Sequence, residues 1–202
     1  MLTRIFIWIF KRNGWNLETQ LPQAIDRCVL VGAPHTSNWD LVYGIAALRL
    51  LKLDIRFTIK NEWNFFPINF FLNRLGALWI ERNSKKENSG KQSMTEMMTT
   101  LFTKHDKLIL LVTPEGTRKK MIKWRTGFYH VALNAKVPMA LGYLDYKKKS
   151  AGITKMIFPT GDKEKDLKEI MRFYQTINPK FPKKFSVDLE YVEDHLVEKR
   201  ND

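Results

Sequence analysis

Two short stretches of the chain hold residues whose types and spacing can do chemistry. His35-Thr36-Ser37-Asn38-Trp39-Asp40 sets an imidazole shortly before a carboxylate. A carboxylate on one ring nitrogen fixes the tautomer and leaves the other nitrogen free as a base near neutral pH. Pro114-Glu115-Gly116-Thr117-Arg118 sets a glycine between an acid and a guanidinium. A glycine turn exposes backbone N–H groups that bind anions, and an arginine grips a phosphate through two parallel bonds. Lys119, Lys120, Lys123 and Arg125 add positive field. Together the stretches point to proton abstraction beside an anion-binding site. His-x4-Asp is weak by itself, because Asp40 also suits a helix N-terminus simply as a favourable charge. The second stretch could be a solvated basic turn, but a given five-residue string arises by chance in on the order of one such chain in ten thousand. The chain has four histidines. His105 falls in a polar turn, His130 on a helical pattern and His195 in a charged tail, all suited to structural roles.

Positioning these residues requires a scaffold, and apolar runs alternate with helical patterns along the chain. Strands are expected at 27–33, 55–59, 77–80, 108–112, 139–146 and 152–158. Helices are expected at 39–51, at 62–75 with a break near Pro67 and Gly76 just past its end, at 90–104, at 127–135, and from an Asp162 N-cap to about 177. This alternation predicts a single α/β domain: a central, mostly parallel mixed sheet flanked by helices, preceded by an N-terminal interfacial helix. Ligand sites in such sheets lie past the C-terminal ends of strands. His35 follows the first expected strand and Glu115 the 108–112 strand, so the two can converge. The expected division is a membrane-surface segment at 1–22, the α/β domain at 23–180 and a charged tail at 181–202.

The charge balance restricts the partners. Among 202 residues, 34 Lys and Arg face 21 Asp and Glu, a formal net charge of +13. Such a surface favours anionic lipid, phosphate-bearing substrates or nucleic acid. One cysteine, Cys28, excludes an internal disulfide and a Cys-rich zinc site. The apolar run from Leu2 to Phe10 is too short to span a membrane. Phe6, Trp8, Phe10 and Trp15 beside Arg4, Lys11 and Arg12 suit a helix lying in a lipid interface; the alternative is a first helix packed on the domain.

Four stretches, in order, resemble the blocks of the glycerolipid acyltransferase family, the 1-acylglycerol-3-phosphate and related lysophospholipid acyltransferases. His35 to Asp40 matches the first block. Gly76-Ala77-Leu78-Trp79-Ile80-Glu81-Arg82 resembles the second. Pro114 to Arg118 matches the third in full. Val137-Pro138 with Met139-Ala140-Leu141 resembles the fourth, though the usual second proline is absent and Gly142 is the nearest small residue. The resemblance covers roughly 28–145 and implies roles. His35 is then the general base and Asp40 its orienting partner. Arg82, Glu115, Gly116, Thr117, Arg118 and Lys60 bind the acceptor's phosphate. Trp63, Phe66, Phe70, Phe71 and Pro138 meet the acyl chain or the membrane. The family uses acyl-CoA or acyl-ACP as co-substrate, with no cofactor and no metal in the chemistry.

The chemistry of the residues agrees, since a hydroxyl attacking a thioester must lose its proton and a neutral imidazole assists this. Ser37 lies too close along the turn for a serine nucleophile, which favours direct transfer over an acyl-enzyme. Backbone N–H groups near His35 are candidates to stabilise the oxyanion. Lys147, Lys148 and Lys149 read as a solvated turn that would suit an anionic membrane or carrier protein. The expected protein is a lysophospholipid acyltransferase, peripheral on the cytoplasmic face of an anionic membrane, with no nucleic acid partner. The rival readings are a basic nucleic-acid-binding domain, a non-catalytic lipid-binding protein and an acyltransferase for another lyso-lipid.

Overall fold

The structure is a computed structural model that describes residues 2–19, 25–80 and 93–192. In chain order the elements are α1 (Leu2–Arg12), β1 (Asn16–Thr19), β2 (Arg27–Gly32), α2 (Trp39–Leu50), β3 (Ile55–Lys60), α3 (Ile68–Leu75), β4 (Ala77–Ile80), α4 (Met94–Lys104), β5 (Leu108–Val112), α5 (Gly127–Ala135), β6 (Met139–Asp145), β7 (Ser150–Ile157) and α6 (Lys163–Gln175). The strands form one seven-stranded sheet in the order β1-β7-β6-β2-β5-β3-β4. Strands β6, β2, β5, β3 and β4 run parallel, β7 is antiparallel to β6, and β1 is parallel to β7.

The interior strands are buried on both faces, which is why they read as unbroken apolar runs. Along β2, Val29 and Val31 enter a large cluster with α4, α5 and α6, while Cys28 and Leu30 turn to the other face and meet α2. Burial of the Cys28 thiol pushes its pKa up to about 12, so it is an inert core residue. Beyond α2 lies an aromatic cluster joining α1 to the domain through Phe10, Trp15 and Tyr43.

Local signals account for the helix ends. Ser93 and Glu96 form a reciprocal capping box at the start of α4. Asp162 accepts the Lys165 N–H at 3.1 Å and caps α6 as expected. The stretch expected as one interrupted helix is a 3₁₀ turn at Asn61–Trp63 followed by α3, which begins only after Pro67. A proline has no N–H to give an earlier turn, and its ring crowds the preceding residue.

Two regions set apart in the sequence reading carry parts of the domain. Asn16–Thr19, expected within the surface segment, is the edge strand β1. Gly152 makes that pairing possible, since any Cβ there would collide with the Glu18 carbonyl. Residues 181–192, expected as tail, pack back on the large cluster. Val187 and Tyr191 are buried there, and Asp188 accepts the Trp124 N–H at 2.8 Å. Alternation of polar and apolar residues is too irregular in both stretches to register as an element.

Gly76 ends α3 at φ +102°, and a Cβ there would strike the Ile55 carbonyl of β3. Gly76→Ala is therefore expected to destabilise the fold by about 1–3 kcal/mol, combining left-handed strain with the clash. Equilibrium denaturation measures this as a lower midpoint at unchanged slope.

Candidate active site

The site lies past the C-terminal ends of the parallel strands. Chain leaving β2 passes through Ala33 and Pro34 to His35 and re-enters helix at Trp39. Asp40, in the first turn of α2, directs its side chain back toward the N-terminus. Its Oδ2 accepts the Thr36 and Ser37 N–H groups at 2.7 and 2.8 Å. It thereby ties the two loop residues just before the Asn38 N-cap to the first turn of α2, while the Trp39 N–H, an orphan donor of the helix, goes to Ser37 Oγ at 3.2 Å. The same Oδ2 lies 3.5 Å from His35 Nδ1, longer than a short hydrogen bond, and so faces that nitrogen of the ring. Oδ1 accepts the Tyr146 hydroxyl at 2.6 Å.

The His35 imidazole is held below its ordinary pKa, chiefly by burial. Asp40 opposes this and Arg118 adds to it. The ring is therefore neutral at pH 7, with one nitrogen toward Asp40 and the other available as a base. Its position is distinctive, because His35 sits where two cavities meet. One is an apolar cavity of about 710 Å³ that runs among Leu30, Leu41, Ile45, Leu48, Ile55 and Ile153, between α2 and the sheet. The other is a basic cleft of about 660 Å³ walled by Gly116, Thr117, Arg118, Lys119, Lys120, Lys183 and Lys184. His35, Thr113, Gly116 and Arg118 line both.

The loop after β5 supplies the second stretch. Gly116 has φ +64°, and Arg125 packs its guanidinium about 3.1 Å from where a Cβ would stand. Glu115 is buried, and its Oε2 accepts the His35 N–H at 2.8 Å. Its Oε1 is buried without a partner among the described residues. Burial raises the Glu115 pKa to about 7. This acid thus braces the His35 loop from below; a carboxylate so placed does not reach out toward a phosphate. The backbone donors of His35, Thr36 and Ser37 all end on Glu115 or Asp40. They are unavailable for the oxyanion role the sequence suggested.

The remaining expected residues divide. Gly116, Thr117 and Arg118 face the basic cleft together. The backbone puts Lys60 at the end of β3 and Trp63 in the 3₁₀ turn, but their side chains, like Arg82, lie outside the described residues. Phe66, Phe70 and Phe71 are 82%, 55% and 47% exposed and line neither cavity. Pro138 precedes β6 and its carbonyl pairs with Val29, a strand's length from His35, so it is remote from the apolar cavity. Gly142, at an irregularity in the β6–β7 register, lines that cavity instead. Tyr146, Lys183 and Lys184 had no sequence signal beyond composition. Tyr146 is delivered by the end of β6, and Lys183 and Lys184 by the return of residues 178–185 to the site. There Asn178 bonds Asp145 at 2.8 Å, and the Phe181 N–H meets Thr36 Oγ1 at 3.4 Å.

Glu115 makes stability depend on pH with a definite sign. Its folded pKa of about 7 lies above the ordinary 4.5, so between these values the native state holds a proton that the unfolded chain has lost. Its contribution is therefore most favourable at or below pH 4.5 and falls as pH rises to about 7. His35 acts oppositely, since a lowered pKa adds stability as pH rises toward its ordinary 6.5. Comparing wild type with Glu115→Gln isolates the acid. Relative to that variant, wild type is expected to lose up to about 3 kcal/mol between pH 4.5 and 7, measured by denaturation across that range.

The chain matches the acyltransferase family over residues 16–140. Among solved structures it is similar to the crystal structure of the 1-acyl-sn-glycerophosphate (LPA) acyltransferase PlsC from Thermotoga maritima. The TM-score is 0.55 at 15% identity, covering 84% of this chain and 73% of that one. No curated protein matches the chain significantly. The structural likeness establishes a shared fold, and the family match spans more than half the sequence: the chain belongs to the acyltransferase family.

Proposed function

We propose that the protein moves a fatty acyl group from an acyl thioester, acyl-CoA or acyl-ACP, to the hydroxyl of a lysophospholipid. The acceptor is 1-acylglycerol-3-phosphate and the product phosphatidic acid, a step of phospholipid biosynthesis. One observation carries the reading: a neutral, carboxylate-backed imidazole stands where an apolar cavity meets a basic cleft. An acyl chain fits the first and a phosphate the second, so the reacting hydroxyl and carbonyl meet at His35. A nucleic acid partner would leave the apolar cavity without a role.

In this mechanism His35 takes the proton of the acceptor hydroxyl as its oxygen attacks the thioester carbonyl. The tetrahedral intermediate collapses with loss of the thiolate, which receives that proton from the imidazolium. Asp40 holds the ring and stabilises its transient charge. Gly116, Thr117 and Arg118 hold the acceptor phosphate, with Arg82 and Lys60 as the family resemblance implies. Lys183 and Lys184 line the same cleft and add charge. Glu115 fixes the base rather than touching phosphate. Arg118 also depresses the His35 pKa. A phosphate bound against it offsets that field and strengthens the base once substrate is in place.

We further propose peripheral attachment to the anionic cytoplasmic face of a membrane. Among the described residues no helix is long and apolar enough to cross one. On α1, Leu2, Ile5 and Trp8 are 37%, 45% and 64% exposed, beside Arg4, Lys11 and Arg12. Of the four aromatics expected at the lipid interface, Phe10 and Trp15 are buried in the domain and Phe6 packs against it, so Trp8 is the free anchor. Phe66, Phe70 and Phe71 offer a second apolar patch.

Acyl transfer to a panel of lyso-acceptors from both thioester types, read by lipid mass spectrometry, tests the reaction. His35→Ala is expected to lower turnover by about 10²–10⁴. Arg118→Ala should chiefly raise KM for phosphate-bearing acceptors and spare phosphate-free ones. Near wild-type activity in His35→Ala would end the proposed mechanism.

Membrane attachment predicts sedimentation with anionic vesicles at low salt, weaker at high salt and with neutral vesicles. Ile5→Ser with Trp8→Ser should reduce it without disturbing the fold, because both side chains point outward. Equal, negligible binding to both vesicle types removes this claim.

A further inference from the structure

We propose that Tyr146 is a positioning residue for the His35–Asp40 pair, and that Trp15, just past the N-terminal helix, holds Tyr146 in place. The inference rests on the acyl-transfer reading for its kinetic consequence. Its geometry is independent of it. Asp40 has two oxygens with different duties. Oδ2 takes the Thr36 and Ser37 N–H groups and faces His35 Nδ1. Oδ1 takes the Tyr146 hydroxyl at 2.6 Å, a short charge-assisted bond. Losing it leaves an anionic oxygen without that donor in a residue only 7% exposed, and frees the carboxylate to turn about its last torsion.

The Tyr146 ring is fixed on several sides. Trp15 meets it edge-on at 5.0 Å, and Tyr43 does so at 5.9 Å. Trp15 itself stacks on Tyr43 at 4.4 Å and touches Phe10 of α1 at 5.8 Å. Lys180 Nζ lies 5.8 Å from the Tyr146 ring centre, and the Tyr146 N–H bonds the Asn178 carbonyl at 2.8 Å. Neither Tyr146 nor Trp15 lines the apolar cavity or the basic cleft. They therefore act on the chemistry through Asp40 and not through substrate contact. The end of α1 is thus part of the scaffold of the base as well as the carrier of the membrane-facing side chains.

Tyr146→Phe keeps the ring and removes only the hydroxyl. Its kcat is expected to fall about tenfold, the scale of one charge-assisted hydrogen bond, with both KM values within about twofold of wild type. The hydroxyl also draws charge from Asp40. Without it the carboxylate favours the imidazolium more strongly, so the His35 titration midpoint should move up. That midpoint is read by NMR, with the His35 signal assigned by its loss in His35→Ala. The other groups facing His35 are retained in the variant: Glu115 and Arg118 after β5, and Lys119, Lys120, Lys183 and Lys184 around the cleft. Trp15→Ala should reproduce the kcat loss with water-soluble short-chain substrates, where membrane docking plays no part, and Trp15→Phe should restore most of it. An unchanged His35 midpoint in Tyr146→Phe overturns the proposal, whether kcat is unchanged or falls in step with thermal stability. The NMR titration needs no turnover. Absence of acyl transfer in wild type would therefore sink the functional reading alone and leave Tyr146 to be judged by the midpoint.

Discussion

Burying the Asp40 carboxylate is the constraint around which this site is organised. An ionised carboxylate away from water is costly unless its oxygens are hydrogen-bonded. Here the donors come from the loop after β2 and from the residue following β6, while the acid belongs to α2. Satisfying one charge therefore fixes three pieces of chain against one another. Glu115 adds the loop after β5 by accepting the His35 N–H. Strands β5, β2 and β6 are neighbours in the sheet, so their C-terminal ends deliver these groups to one corner.

The two cavities follow from that corner. On the α2 face, small residues open space beside the buried strands: Gly142 at the β6–β7 irregularity, with Gly44 and Ala47 on the helix. On the outer side, the glycine turn after β5 and the returning chain at 182–184 bring cations together. The His35 imidazole between them stays neutral because burial and Arg118 outweigh Asp40. An imidazolium could not accept a proton, so an electropositive surround favours the state the proposed mechanism needs while also attracting an anion.

The N-terminal helix is divided between two environments. Phe10 is buried against the aromatic cluster, and Leu2, Ile5 and Trp8 point outward. Because the inner side reaches Tyr43 and Tyr146 through Trp15, the segment that carries these exposed apolar side chains is continuous through packed rings with Asp40.

Much of this was legible in the sequence wherever local chemistry decides. Unbroken apolar runs marked the buried strands, since both faces of a parallel strand must be covered. Asp162 and Gly76 marked helix ends because capping depends on a single residue's side chain or backbone freedom. The His35 and Glu115 stretches were visible as candidates, and their meeting followed from sheet logic. Only the tertiary structure decided what those residues touch. It turned Glu115 inward under His35, moved the apolar cavity from the exposed phenylalanines to the α2 face, and placed Pro138 away from it. It also brought in Tyr146, Lys183 and Lys184, which lie more than a hundred residues from Asp40 or outside the expected domain. The reason is physical. Periodicity and capping are set within a few residues, whereas the partner of a buried charge is whichever donor the packed chain carries to it.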